Sequence, residues 1–351
     1  MLLALDWRPV LRSVQALLVA IGIGLALVLL SGGSPPAVLH ALLHGAVGSR
    51  VNLASTLVKT VPLLLTGLSV ALAFRAGLFN IGGEGQLYVG ALSAAWIGGL
   101  GLRLPSALYV PLVLGAAVLA GAIWGAIPGW LRARHGVHEV INTIMMNHIA
   151  IQVTDYLVNG PLRAADTVAR TRELSAEAEL PVLWDAPPIE LSWGILLALV
   201  VCACAAWVLF RTATGYEIRA VGQGPVASGV SGIRVSRVLV GAMALAGGLA
   251  GLAGGLEVCG VHHTLYAQFS PGYGFDGIAV ALLARNHPLG VVPAALLFGA
   301  LRTADRWLQL SAGVPRDLVV IIQAVAILAV GAQGVFRGLH ARGEPTREVA
   351  Q

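Results

Sequence analysis

Residues Ser192–Phe210 read SWGILLALVVCACAAWVLF, nineteen positions without a charge, and Arg211 closes them. A run of about 20 apolar residues is what a helix needs to cross the roughly 30 Å hydrocarbon core of a bilayer. In lipid the backbone must satisfy its own hydrogen bonds, which a helix does internally. The pattern recurs along the chain. It predicts ten spans, at about 14–31, 56–75, 82–100, 106–130, 140–159, 192–210, 237–259, 274–286, 289–303 and 317–334. The expected fold class is all-α, a polytopic inner-membrane protein forming one transmembrane domain over residues 1–351.

Composition agrees with a bilayer as the main partner. Of the 351 residues 57% are hydrophobic and only 11% charged, where soluble domains carry about 25% charged residues. The 44 glycines suit close helix packing in lipid. The net charge of +5 is almost all arginine, with Lys59 the one lysine. It is spread over loops, so it reads as a topology signal rather than a nucleic-acid surface. Cys202, Cys204 and Cys259 lie in apolar runs at no zinc or disulfide spacing and read as small packing residues.

Arginines in short loops orient the spans. Arg8 and Arg12 precede the first, Arg132 and Arg134 follow the fourth, and Arg211, Arg219, Arg234 and Arg237 separate the sixth from the seventh. Arg337, Arg342 and Arg347 follow the tenth. With ten spans all fall on one side, which places both termini and the tail 335–351 in the cytoplasm. The loop 161–191 then faces the periplasm, with six acids (Asp166, Glu173, Glu177, Glu179, Asp185, Glu190) against three arginines. Arg302, Arg306 and Arg316 run against the trend, offset in part by Asp305 and Asp317. The run Val14–Leu30 has the outline of a signal peptide, but Ser31–Pro35 offers no clear Ala-x-Ala site, so it reads as an uncleaved first span.

Function must come from breaks, loops and polar residues in apolar surroundings. The densest cluster is Phe74-Arg75-Ala76-Gly77-Leu78-Phe79-Asn80-Ile81-Gly82-Gly83-Glu84-Gly85-Gln86. Its glycines weaken a helix by up to about 1 kcal/mol each, which predicts a break. A break at membrane depth is tolerated only where it is buried or lines a cavity. Glu84 there would need a partner, with Arg75 or the amides of its own helix start as candidates. The alternative is an interfacial loop whose Glu84 caps a helix.

Leu78-Phe79-Asn80-Ile81-Gly82 is echoed by Gly274-Phe275-Asp276-Gly277-Ile278. In the ten-span topology the two segments enter from opposite sides, consistent with an inverted repeat of spans 2–5 and 7–10. The residues expected near a solute path are Phe79, Asn80, Glu84, Gln86, Asn142 and Asp276. Asn142 is chosen because Glu139, Asn142 and Met146 share a helical face; structural hydrogen bonding between helices is the competing reading. Glu257, His262, His263 and Asp276 are expected near the outer end of the seventh and eighth spans, touching solute or simply solvated.

The segment 211–237 is the expected cytoplasmic coupling element. Pro225 suits the first turn of a short helix, and Val226, Val230 and Ile233 recur at helical spacing as an apolar stripe. Such a helix reads as a docking surface or as one lying flat on lipid. No phosphate-binding Gly-rich loop with Lys-Ser or Lys-Thr occurs, and no nucleophile elbow. The chain carries no catalytic constellation and implies no cofactor or metal.

Three stretches carry a resemblance: Ala73–Gln86, Thr214-Gly215-Tyr216-Glu217-Ile218-Arg219-Ala220-Val221-Gly222, and Arg285-Asn286-His287-Pro288-Leu289-Gly290. The chain resembles the permease subunits of ABC importers in the ribose/branched-chain amino-acid permease superfamily. It is most similar to the larger permease of nucleoside importers that work with a basic-membrane-protein-type lipoprotein. The resemblance covers about residues 38–340. It implies a half-channel without enzymatic activity, paired with a second, smaller permease, a cytoplasmic ABC ATPase and an extracytoplasmic substrate-binding lipoprotein. It also implies that Tyr216, Glu217, Arg219, Pro225, Val226, Val230 and Ile233 couple to the ATPase. Relatives often carry Asn before this proline and a more charged helix after it, where this chain has Gly224 and Val226-Ala227-Ser228. The implied cargo is a nucleoside or a simple sugar. The rival reading is an ion-gradient-driven secondary transporter, which would want several intramembrane carboxylates; Glu84 and Asp155 are the main candidates.

Overall fold

A computed structural model describes residues 34–165 and 167–312, with Gly22 and Leu29. The expected spans at 14–31 (those two residues apart) and 317–334, and the tail 335–351, lie outside the described residues.

Every other expected span coincides with a helix. These are α2 (Arg50–Arg75), α3 (Gly83–Gly98), α4 (Ser106–His135), α5 (Glu139–Asn159), α6 (Gly194–Arg211), α9 (Val235–Glu257), α10 (Tyr273–Leu283) and α11 (Pro288–Ala312). Among the described residues, four helices are long and apolar enough to cross a bilayer: α2, α4, α6 and α9 extended through His262. Three helices have no counterpart in the expected spans: α1 (Pro35–Val47), α7 (Ala213–Gln223) and α8 (Pro225–Val230). Local chemistry sets their ends. Pro35 stands in the first turn of α1, where a missing N–H costs nothing. Ser49 Oγ caps α2 by accepting from Asn52 N at 3.0 Å. Gly136 closes α4 at φ 66°, the left-handed cap that glycine suits.

Packing follows the glycines. Gly121 and Gly125 of α4 face Gly247 and Gly251 of α9 so closely that a Cβ on any of them would strike the opposing backbone. Without water to expel, such contact is how helices gain attraction in lipid. The main core gathers leucines 63–65 and Leu68 of α2 with Leu87 and Ala91 of α3, Val113 of α4, Leu256 of α9, Val280 of α10 and Phe298 of α11. A second, smaller core joins Leu72 and Ala73 of α2 to Leu209, Ile218, Val221, Val238 and Met243.

The expected loop 161–191 is more ordered than a solvated linker. It holds an antiparallel hairpin, β1 (Val182–Ala186) with β2 (Ile189–Ser192). It is pinned to the bundle by Ser175 N donating to Gly98 O at 3.1 Å and Leu180 N to Cys259 O at 2.9 Å. This end of the bundle lies opposite the one where α2 stops at Arg75. The segment 211–237 packs at the Arg75 end, so the two loops occupy opposite ends of the bundle.

Candidate functional site

The polar break forms and goes deep. Helix α2 has 26 residues, about 39 Å at ~1.5 Å per residue. From Arg75 the chain turns at Gly77, whose φ of 74° suits glycine, and runs without helix from Leu78 to Ile81. It heads back alongside α2. Asn80 Nδ2 reaches Ser69 Oγ at 3.4 Å, six residues or roughly 9 Å inward from Arg75. Helix α3 starts only there.

Helix α10 also starts in the interior. Thr66 Oγ1 donates to Tyr273 O at 3.0 Å, and Gly277 packs on Thr66. Its other end reaches the Arg75 end, where Arg75 Nε donates to Asn286 O at 2.8 Å. The two half-length helices therefore meet N-terminus to N-terminus. Glu84, 2% exposed, lies in the first turn of α3 and accepts from Gly274 N of α10 at 2.6 Å. A carboxyl group between two helix N-termini sits where both dipoles favour negative charge. This corrects both expected partners of Glu84. Arg75 turns away, and the bonding amide belongs to the other half-helix. Glu84 is buried within the bundle at this junction.

The remaining polar residues of the break hold it together. Asn80 and Gln86 bond each other twice, at 3.0 and 3.1 Å, and Asn80 Oδ1 accepts from Gly82 N at 3.0 Å. Phe79 stacks edge-on against Phe74 at 4.7 Å, and its N–H points to Glu139 Oε1 at 3.4 Å. Glu139 in turn pairs with Arg132 at 3.4 Å. Asn142 does not join this network. It is half-buried, and its Nδ2 has no partner among the described residues.

The residue that does close the break is Asn147, which the sequence reading passed over. Its Oδ1 accepts from Gly85 N at 2.8 Å and its Nδ2 donates to Ile81 O at 2.9 Å. Following the row Glu139, Thr143 and Asn147 (i, i+4, i+8), all buried, instead of Glu139, Asn142 and Met146, would have found it. Asp276, one turn into α10, pairs with Arg302 at 2.7 Å, so Asp276 offsets an arginine the sequence reading had balanced with Asp305. Near this pair a cleft of about 610 Å³ opens between α2, β2 and α11, lined by Asn52, Ser55, Lys59, Arg302 and Asp305 among others. Of the outer cluster, Glu257 is buried rather than solvated and faces His262 at 3.5 Å; His263 faces Glu179 at 3.6 Å.

The expected coupling segment has two helices, not one. Thr212 Oγ1 caps α7 by accepting from Gly215 N at 3.2 Å. Gly215, Ile218 and Val221 are buried, Glu217 and Arg219 half-buried, and Tyr216 exposed. At Gly222, α7 lies directly on the break: a Cβ there would collide with the Arg75 carbonyl and the Gly77 nitrogen. Helix α8 starts at Pro225 and ends at Val230, so the expected stripe is shorter than predicted. Val226 and Val230 are 82% and 88% exposed. Ile233 lies beyond the helix and packs inward on the smaller core, which separates it from the two valines.

Against known proteins, residues 52–331 match the family model described as the permease component of branched-chain amino acid transport systems. A guanosine ABC transporter permease of Bacillus subtilis is 38% identical over 92% of this chain and 93% of its own length. A glucose ABC transporter permease of Haloferax volcanii is 36% identical over 91% of this chain and 85% of its own. A nucleoside ABC transporter permease of Lactococcus lactis is 34% identical over 94% of this chain and 92% of its own. No solved structure matches.

Proposed function

The chain belongs to the family of branched-chain amino acid transport system permease components and is a multi-pass ABC transporter permease, and from that premise we propose how it works and what it carries. It serves an importer, and its cargo is a nucleoside, as the names of the Bacillus and Lactococcus relatives suggest. A simple sugar is the second candidate, favoured by the Haloferax relative. ATP is hydrolysed on a separate cytoplasmic ATPase. A second permease completes the pore, and an extracytoplasmic lipoprotein delivers solute to the end bearing the 161–191 loop. Both termini lie in the cytoplasm with the 211–237 segment.

The observation that carries the mechanism is the contact of Gly222 with the Arg75–Gly77 turn. The ATPase seats on Val226 and Val230, whose exposed apolar side chains offer a helix-in-groove docking surface. Force on α8 passes to α7, then through Gly222 to the turn from which the break hangs. Displacing that turn moves the Glu84–Gly274 junction, where one half-helix runs toward each side of the membrane. Half-helices that meet inside a transporter, built as an inverted repeat, form such a moving centre in other transport folds. Phe79, Asn80, Glu84 and Gln86 then act as the hinge of the path. Asp276 stands beside the polar cleft of about 610 Å³, within the roughly 300–1,000 Å³ of small-molecule sites.

Vesicles test the reading. The permease, co-reconstituted with the ATPase, second permease and lipoprotein, should accumulate a labelled nucleoside with ATP and no ion gradient. Uptake driven by a gradient without ATP would overturn it in favour of a secondary transporter. Uptake of glucose that unlabelled nucleoside does not compete would transfer the cargo to sugars.

A further inference from the structure

At the Arg75 end three elements bring a guanidinium each to one cleft of about 260 Å³. Arg75 comes from the end of α2, Arg219 from α7, and Arg285 from the turn between α10 and α11; Gly222, Gln223 and Asn286 complete the walls. Two of the three cations are held in place. Arg75 Nε donates to Asn286 O at 2.8 Å and Arg219 Nε to Gly215 O at 3.3 Å. Both guanidiniums also lie against Phe210, 5.6 and 5.4 Å from the ring centroid, and His287 stacks on the same ring at 5.1 Å. These contacts occupy the Nε atoms and leave the outer nitrogens of the forks uncommitted. Arg285 Nη1 and Asn286 Oδ1 are buried with no hydrogen-bond partner. Among the described residues no carboxylate pairs with any of the three arginines.

The turn that supplies Arg285 is unusual. Arg285 and Asn286 both have positive φ, 54° and 56°, where glycine would close the helix at less cost. The chain instead places a long cation there, and its side chain joins two others that repel it. Three like charges around one cleft call for an anion. Guanidinium forks match phosphate oxygens in pairs, and the cleft is too small for a nucleotide-sized ligand to be enclosed. Its position at the end of a roughly 39 Å helix puts it at the height of lipid headgroups.

We propose that the Arg75–Arg219–Arg285 cleft binds a phosphate group, supplied by the headgroup of an acidic phospholipid or by free phosphate. Bound there, the phosphate ties α7 to the end of α2 and to the α10–α11 turn, the three parts that must move together when α8 is pushed. The site does not depend on which solute is carried, and binding can be read without transport.

The assembled importer is placed in nanodiscs of phosphatidylcholine alone or with phosphatidylglycerol, and lipid retention is read by native mass spectrometry. In phosphatidylcholine discs, inorganic phosphate is titrated and its binding read by phosphorus NMR, with sulfate as competitor. Wild type should retain phosphatidylglycerol or bind phosphate, and Arg285→Gln should weaken that binding about tenfold, the loss of one charge-assisted contact. Arg285→Lys should restore part of it, since the charge returns without the fork. Lipid retention without phosphate binding assigns the lipid source, and the converse the free anion. Equal binding of both probes by wild type and Arg285→Gln overturns the proposal. So does an Arg285→Gln complex that sheds its ATPase with phosphate binding unchanged, because the cleft would then be a seat for a protein carboxylate.

Discussion

The break at 76–82 and the segment at 212–233 are both short, glycine-bearing interruptions between long helices, and they treat their side chains in opposite ways. The break hides polar groups: Asn80, Glu84, Gln86 and Asn147 are all buried and bonded to one another or to backbone. The segment displays apolar ones, Val226 and Val230, on a six-residue helix. In lipid the first arrangement is costly without internal bonds; the second leaves apolar side chains free to meet a partner. On the proposed reading, the contrast separates a mechanism of this chain, the break, from a surface meant for a partner, the segment. Between them stand the contact of Gly222 with the Arg75–Gly77 turn and the small core that Ala76 and Leu78 share with Ile218 and Val221.

The largest effect should come from the exposed side. Val226→Glu with Val230→Glu adds two charges where the native residues touch little of this chain. Folding should change by less than about 0.5 kcal/mol, as for surface positions generally. ATP-driven uptake should fall to background while the variant still inserts at wild-type level, measured side by side in the same vesicles. Normal uptake in the double variant would remove the docking role from α8.

On the buried side the expected loss is of stability. Asn147→Leu keeps the volume but strips partners from Gly85 N and Ile81 O together. Two buried backbone groups left unpaired cost about 2–6 kcal/mol, which should appear as a large drop in melting temperature of the purified protein. An unchanged melt would mean that water already serves those groups and the break is wetter than its burial implies. Gly222→Ala probes the link itself. One methyl directed at the Arg75 backbone, which cannot rotate away, should cost about 1–3 kcal/mol. It should also cut the uptake produced per ATP hydrolysed, because α7 no longer seats on the turn. A melt and a coupling ratio both equal to wild type would break the proposed relay.

Much of this was legible in the sequence because lipid imposes simple rules. A long uncharged run has few options besides a helix, so all expected spans on the described residues coincide with helices. The break was legible because Gly77, Gly82, Gly83 and Gly85 weaken a helix where Asn80 and Glu84 also call for polar partners. Glycines alone do not break one, since α9 runs unbroken through Gly247, Gly248, Gly251, Gly254 and Gly255. Partnership was not. Glu84 bonds an amide 190 positions away, and nothing within the local pattern of either stretch encodes that pairing beyond a five-residue echo. Asn147 was missed because helical spacing marks a face but not the depth at which a neighbour needs a partner. Ile233 was misplaced because Ser231 and Gly232 end the turn, and a periodic stripe read on paper runs straight through such a stop. Helix α7 was missed because its buried Ile218 and Val221 alternate with Glu217 and Arg219, too polar for a span and too short to announce itself.

The smallest and sharpest test concerns Glu84. Its bond to Gly274 N combines an acceptor oxygen with a carboxyl group placed between two helix ends, where the dipoles favour negative charge. Glu84→Gln keeps an oxygen in reach of that amide and removes the charge, so its cost isolates the charge–dipole part, about 0.3–2 kcal/mol. Glu84→Ala removes both and should cost more, by the further 1–3 kcal/mol of an unpaired buried donor. If the two variants melt together, the charge contributes everything and the bond nothing. If Glu84→Gln melts with wild type, the carboxyl is only a cap, and the meeting of the two half-helices is held by Gly83 packing on Gly274. A graded pair of losses, with uptake falling in the same order, is the outcome a moving junction requires.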